Sequence, residues 1–198
     1  ILIENIAGGS VNLTETTAND TGGGGIRLLN NGGNISLGAA VLDDIGQSAN
    51  PVGQQAAVEV FGGTGNVTFF GDIAVTNAQG VGFLVDSLEE TGRINVTSGT
   101  DISINARNNV GAEFRNVMGS VQFSPTLATT SGSTLTIGAL DVATNTDAPA
   151  VWFNSSSGSV SLNQVTIFNS NTDGILIGTN LDGVNDLAEQ NFATVDPD

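Results

Sequence analysis

Glu59, Glu113 and Trp152 are the residues of this chain whose types and spacing could do chemistry. Two carboxylates are the minimum equipment for acid–base attack on a glycosidic bond. An indole beside them offers a flat apolar face on which a sugar ring can stack. Each is the middle residue of a short alternating triplet: Val58-Glu59-Val60, Ala112-Glu113-Phe114 and Val151-Trp152-Phe153. In a strand with one buried face, the middle residue of such a triplet points outward. If the triplets stack as neighbouring strands, Glu59 and Glu113 stand two levels apart, roughly 9.6 Å. That is near the upper end of the separation used by inverting glycosidases. The same outward row would contain Leu2, Arg27, Leu84 and Leu176. Arg27 beside Glu59 makes a cross-strand ion pair. Leu84, between the glutamates, makes a poor catalytic floor, so the balance leans away from an enzyme.

A second acidic group, Asp182, Asp186 and Glu189, lies near the C-terminus and could ligate calcium, a hard ion that takes oxygen ligands. Its spacing does not match an EF-hand loop. The chain has no cysteine and no histidine, which removes disulfides and the soft ligands of zinc sites. The run Gly22 to Gly25 precedes a strand pattern and not a helix, so it lacks the setting of a phosphate-binding loop.

The charge balance narrows the partners. Twenty acidic residues against four arginines give the 198-residue chain a formal charge of −16. Nucleic acid needs cations to neutralise phosphate and is excluded as a partner. Anionic lipid surfaces are disfavoured for the same reason. No apolar run approaches the length of a membrane-spanning helix, so insertion in a membrane is not expected. An uncharged-polar and acidic composition of this kind points to an extracellular or cell-surface setting.

The elements that must position these residues repeat along the chain. Alternating triplets begin at Ile1, Ile26, Val58, Phe83, Ala112, Val151 and Ile175, at spacings of 24 to 39 residues. The first six are each followed by a second triplet, centred on Asn12, Ser36, Thr68, Asn95, Gln122 and Ser161. Two positions before each second triplet stands a glycine: Gly9, Gly33, Gly65, Gly92, Gly119 and Gly158. A glycine there implies positive φ or close approach of two backbones. A looser third strand follows, at Val41-Leu42, Ile73–Val75, Ile102–Ile104, Leu140–Val142 and Val165–Ile167. An Asn that tolerates left-handed backbone often closes it, as at Asn77, Asn105, Asn145 and Asn169. Three short strands per repeat and no helical pattern predict an all-β, single-stranded, right-handed parallel β-helix, a β-solenoid of about seven coils. It would occupy residues 1–178, with 179–198 as a tail, a short cap or a linker. Two insertions break the period. One spans residues 45–56; the other, 124–139, reads as a β-hairpin arm around Ser131-Gly132-Ser133.

Residues 165–177 (VTIFNSNTDGILI) and 73–85 (IAVTNAQGVGFLV) resemble the parallel β-helix repeat of the pectin-lyase-like superfamily. Among its members the chain is most similar to repetitive bacterial cell-surface and adhesin-type proteins. Polysaccharide enzymes of that superfamily place their sites on the first strand column, which is where Glu59, Glu113 and Trp152 fall. A calcium-dependent lyase site also needs an acidic cluster beside a basic residue, and no such cluster surrounds Arg27. The resemblance therefore implies a structural or adhesive extracellular solenoid, with a carbohydrate-active or carbohydrate-binding β-helix as the alternative. The opening triplet Ile1-Leu2-Ile3 reads as a complete core strand with no polar cap. The chain is thus expected to be a segment or processed form. Its partners would be neighbouring repeats of a longer chain, or further copies packed end to end or laterally, with polysaccharide as another partner and calcium as an aid.

Overall fold

The computed structural model describes residues 1–46, 56–106, 109–125, 131–138, 148–168 and 174–178. All regular structure among them is β, in two sheets whose strands pair in parallel, and no helix is present. The first-triplet strands form a seven-stranded sheet in chain order: Leu2–Glu4, Ile26–Leu29, Val58–Phe61, Phe83–Asp86, Ala112–Arg115, Val151–Asn154 and Ile175–Ile177. Each strand therefore pairs with the corresponding strand one repeat later. The register is the one that the alternation requires: Val58 pairs with Phe83, Phe83 with Ala112 and Ala112 with Val151. A slip of one residue would turn every apolar side chain outward.

The second and third strand columns share the ten-stranded sheet. In the first two repeats a single twelve-residue strand runs through both columns, Ser10–Thr21 and Asn34–Ile45. From Asn66 onward the columns separate. Asn66–Phe69 stacks on the first half of Asn34–Ile45, and Ile73–Ala78 on the second half. The row Ile35, Val67, Ile94, Val121 and Val160 runs in register through the second column. Its first four members are buried.

Between the sheets lies one continuous apolar core. Large and small side chains alternate along its rows, with Phe83 beside Ala112 and Phe69 and Phe123 on either side of Val96. The rings of Phe69 and Phe83 meet edge to face at 5.6 Å, those of Phe83 and Phe114 at 6.4 Å, and those of Phe114 and Phe153 stack at 5.3 Å. Contacts of this kind add about 1 kcal/mol each beyond burial.

From Gly33 onward the recurrent glycines are explained by close approach, whereas Gly9 faces open space and has positive φ (82°). A Cβ on Gly92 would stand 2.6 Å from the Gly63 carbonyl oxygen. On Gly65, Gly119 and Gly158 it would collide with the carbonyl oxygens of Gly33, Gly92 and Gly119 respectively. Those carbonyls are in use: the Gly92 oxygen accepts from the Ser120 N–H at 3.0 Å, and the Gly119 oxygen from Ser159 at 3.0 Å. Left-handed backbone is concentrated elsewhere, directly after the first-column strands, at Asn5, Asn30, Gly62, Ser87, Asn116 and Ser155, with φ of 51° to 62°. Asn77 has the expected left-handed conformation (φ 55°), stacked above Asp20 and Asp44. Asn105 does not, because the register shifts between Ile104 and Ala106.

Two expectations are corrected. The segment after Ser131-Gly132-Ser133 is not a hairpin arm. Thr134–Ile137 lies parallel between Asp101–Ala106 and Gln164–Ile167, and is the third strand of its repeat. Ser133 donates its N–H to the Ser124 carbonyl at 2.9 Å. Thr134 to Ile137 carries the same alternation as its neighbours and matched them equally well. Leu140–Val142, Asn145, Asn169 and most of the 45–56 insertion lie outside the described residues. The first strand is also not a complete core strand. Ile1, one of the two inward positions of the opening triplet, is 48% exposed, while Ile3 is partly buried against the core.

These contacts predict a sharp contrast between two glycines. Gly119→Ala drives a methyl into backbone carbonyls that cannot retreat, and should cost about 3 kcal/mol, roughly 6–12 °C in Tm. Gly8→Ala enters open space at ordinary φ and should leave Tm within about 2 °C. Thermal melts of both variants check the pair.

Candidate functional site

The outer face of the seven-stranded sheet brings the sequence candidates into one row. Arg27, Glu59, Leu84, Glu113, Trp152 and Leu176 are successive register partners. Glu59 and Glu113 are therefore two strands apart, with Leu84 between them. Trp152 is the immediate neighbour of Glu113. The remaining candidates, Asp182, Asp186 and Glu189, lie outside the described residues. Among the described residues no group of three or more acidic side chains is placed to hold a metal ion.

Each member of the row has a partner or a cover. Arg27 Nε donates to Glu59 Oε2 at 2.6 Å, the cross-strand pair that adjacent strands allow. Trp152 is partly exposed, and its indole N–H donates to the Gly178 carbonyl at 3.0 Å, which fixes the ring across the neighbouring strand. Leu84 is 7% exposed and Glu113 3%, low values for the outer face of a sheet.

Two residues further along these strands is the next outward row, and it contains the polar residues that the sequence reading passed over: Asp86, Arg115 and Asn154. Arg115 Nη2 donates to Asp86 Oδ2 at 2.8 Å, while its Nη1 stands 3.5 Å from Glu113 Oε1. Asp86 also accepts from the Ser87 hydroxyl at 2.9 Å and the Asn116 amide at 3.4 Å. Glu113 Oε1 is buried and has no hydrogen-bond partner. Burial pushes the Glu113 carboxyl above the usual glutamate range; Arg115 opposes that shift, Asp86 adds to it, and Asn154 opposes it. The missed residues had a usable signal, since position i+2 of a strand shares the face of position i.

The face thus combines the rings of Trp152 and Phe61, four carboxylates (Glu4, Glu59, Asp86 and Glu113) and two guanidiniums. Among the described residues, Glu59 and Asp86 are held in ion pairs, Glu113 is covered, and Glu4, at the first strand, is exposed. No protein-family model matches the chain, and comparison with curated proteins and with solved structures finds no match.

The two arginines should differ in weight. Arg115→Leu strands the 8%-exposed Asp86 without its cation and should cost about 2–3 kcal/mol. Arg27→Leu breaks a single ion pair and should cost no more than about 1 kcal/mol, whereas Arg115 serves both Asp86 and Glu113. Urea unfolding of the two variants measures the difference.

Proposed function

We propose that the chain is a right-handed parallel β-helix of about seven coils, three short strands to a coil, over residues 1–178. We propose that it serves as a structural or adhesive segment of an extracellular surface or fibre-forming protein. Support for the winding comes from the pairing of each strand with its counterpart in the next repeat. Right-handedness follows from the strong preference of parallel crossovers for that hand. Likeness to the repetitive surface members of the pectin-lyase-like superfamily is part of the same proposal.

The observation that carries the functional reading is the commitment of the outer-face carboxylates. Glu59 is held by Arg27, Asp86 by Arg115, and Glu113 is covered. A hydrolase needs one carboxylate open to water and a second able to reach the leaving oxygen. What remains is a stacked, acidic exterior suited to extended shape. Packing against neighbouring repeats of a longer chain, or against further copies end to end or laterally, is part of the same proposal. Calcium would assist by bridging acidic surfaces that otherwise repel.

Carbohydrate binding is the second reading, and Trp152 favours it: a partly exposed indole in one row with Glu59 and Glu113. Incubation with neutral and acidic oligosaccharides, followed by product analysis and Trp fluorescence, separates the two. The structural reading predicts no cleavage and unchanged fluorescence. Turnover that disappears in Glu113→Gln would replace it with the enzymatic one. Sedimentation and electron microscopy with and without calcium test assembly. Association into rods is expected; a monomer at high concentration under both conditions contradicts end-to-end packing.

A further inference from the structure

We propose that the folded chain holds Glu113 in its protonated form, and that its ionisation as pH rises acts as a release on the outer face of the seven-stranded sheet. The inference rests on a count of charges and on where they sit. Five charged side chains meet around Glu113 and its neighbours: Arg27, Glu59, Asp86, Glu113 and Arg115, while Glu4 lies on the same face three strands from Asp86. Three are carboxylates and two are guanidiniums, so one carboxylate is in surplus. The two short pairs identify which. Arg27 is taken by Glu59 at 2.6 Å and Arg115 by Asp86 at 2.8 Å. Glu113 is left with Arg115 Nη1 at 3.5 Å, beyond good hydrogen-bond length, and with a buried Oε1 that accepts nothing. The strand on its other side brings Trp152 and Asn154, neither of them charged.

An ionised carboxylate so covered costs several kcal/mol unless fully paired. One proton removes that cost and makes the five-residue group neutral. The upward push of burial on the Glu113 carboxyl agrees with this count.

Ionisation would change more than one side chain. Charged Glu113 competes with Asp86 for Arg115. Asp86 in turn holds Ser87 and Asn116, the left-handed residues that end two neighbouring first-column strands. A shift of Arg115 therefore reaches two turns. Because the folded-state affinity of Glu113 for its proton is raised, its contribution to stability is fully present below the ordinary glutamate range. That contribution is lost as pH rises through the folded-state value. The chain's net charge also makes general self-repulsion grow with pH, so the difference between variant and wild type isolates the local effect.

The experiment is a carboxyl-resolved ¹³C NMR titration of the wild-type chain, with thermal melts of wild type and Glu113→Gln across the same pH range. The Glu113 resonance should titrate above the ordinary glutamate value of ~4.3. Glu113→Gln should match wild type at the acid end and gain Tm over it as pH rises. A Glu113 resonance that titrates at or below the ordinary value overturns the proposal. So does a Glu113→Gln variant that falls progressively below wild type as pH rises, because the ionised group would then be the stabilising one. Should the variant fail to fold, the wild-type titration decides alone.

Discussion

At the entry to the second strand column, backbone rests directly on backbone. The carbonyl of one glycine occupies the volume that a side chain on the next would need, as Gly92 does beneath Gly119 and Gly119 beneath Gly158. The same carbonyls accept the N–H that begins the following strand. Strand pairing at ~4.8 Å leaves no room for a Cβ at this corner. Register follows from it. Once the corner is fixed, each strand enters in phase with the one below, and every alternating triplet turns the same face inward. Repeats of unequal length then become tolerable, because extra residues can leave the stack between columns without shifting the next corner.

The interior and the exterior use that register differently. Inside, rows of apolar residues trade size between levels, and a run of phenylalanines from Phe69 through Phe83 and Phe114 to Phe153 links the sheets along the stack. Outside, like residues stack as well, and like charges at ~4.8 Å repel. The second column avoids the problem with uncharged side chains from Asn12 to Ser161. The seven-stranded sheet accepts charges but arranges them in opposite-sign neighbours, Arg27 on Glu59 and Arg115 on Asp86. Glu113 is the one that this arrangement does not balance, and it is also the most deeply covered of the group.

Much of this was legible in the residues. The first and second strand columns, their register and the glycine corner follow from triplets with period two and from glycines at a constant offset. The pairing of Arg27 with Glu59 follows from that register. The third column was harder. Its strands lack a fixed offset, and in the fifth repeat two stretches alternate equally well, so the pattern around Ser131-Gly132-Ser133 fits a hairpin as readily as the parallel strand Thr134–Ile137. The burial of Leu84 and Glu113 could not be read either. Alternation assigns a side chain to a face, but whether that face is open depends on what long side chains such as Arg115 and Trp152 lie across it. Asp86 and Asn154 belonged to the same face by strand parity and were passed over because the triplets ended one residue before them.

The central claim is that each sequence repeat adds one level of parallel strand, whatever its length. The chain contains no cysteine, so paired spin labels can be placed at outward positions of the second column alone. Asn12 and Gln122 stand four levels apart, and Asn12 and Ser161 five. Pulsed dipolar spectroscopy should return backbone separations near 19 Å and 24 Å, about 4.8 Å per level, although 110 and 149 residues separate the labels in sequence. Separations that follow residue number instead of level, or a second pair no farther apart than the first, would contradict the stacked-repeat account.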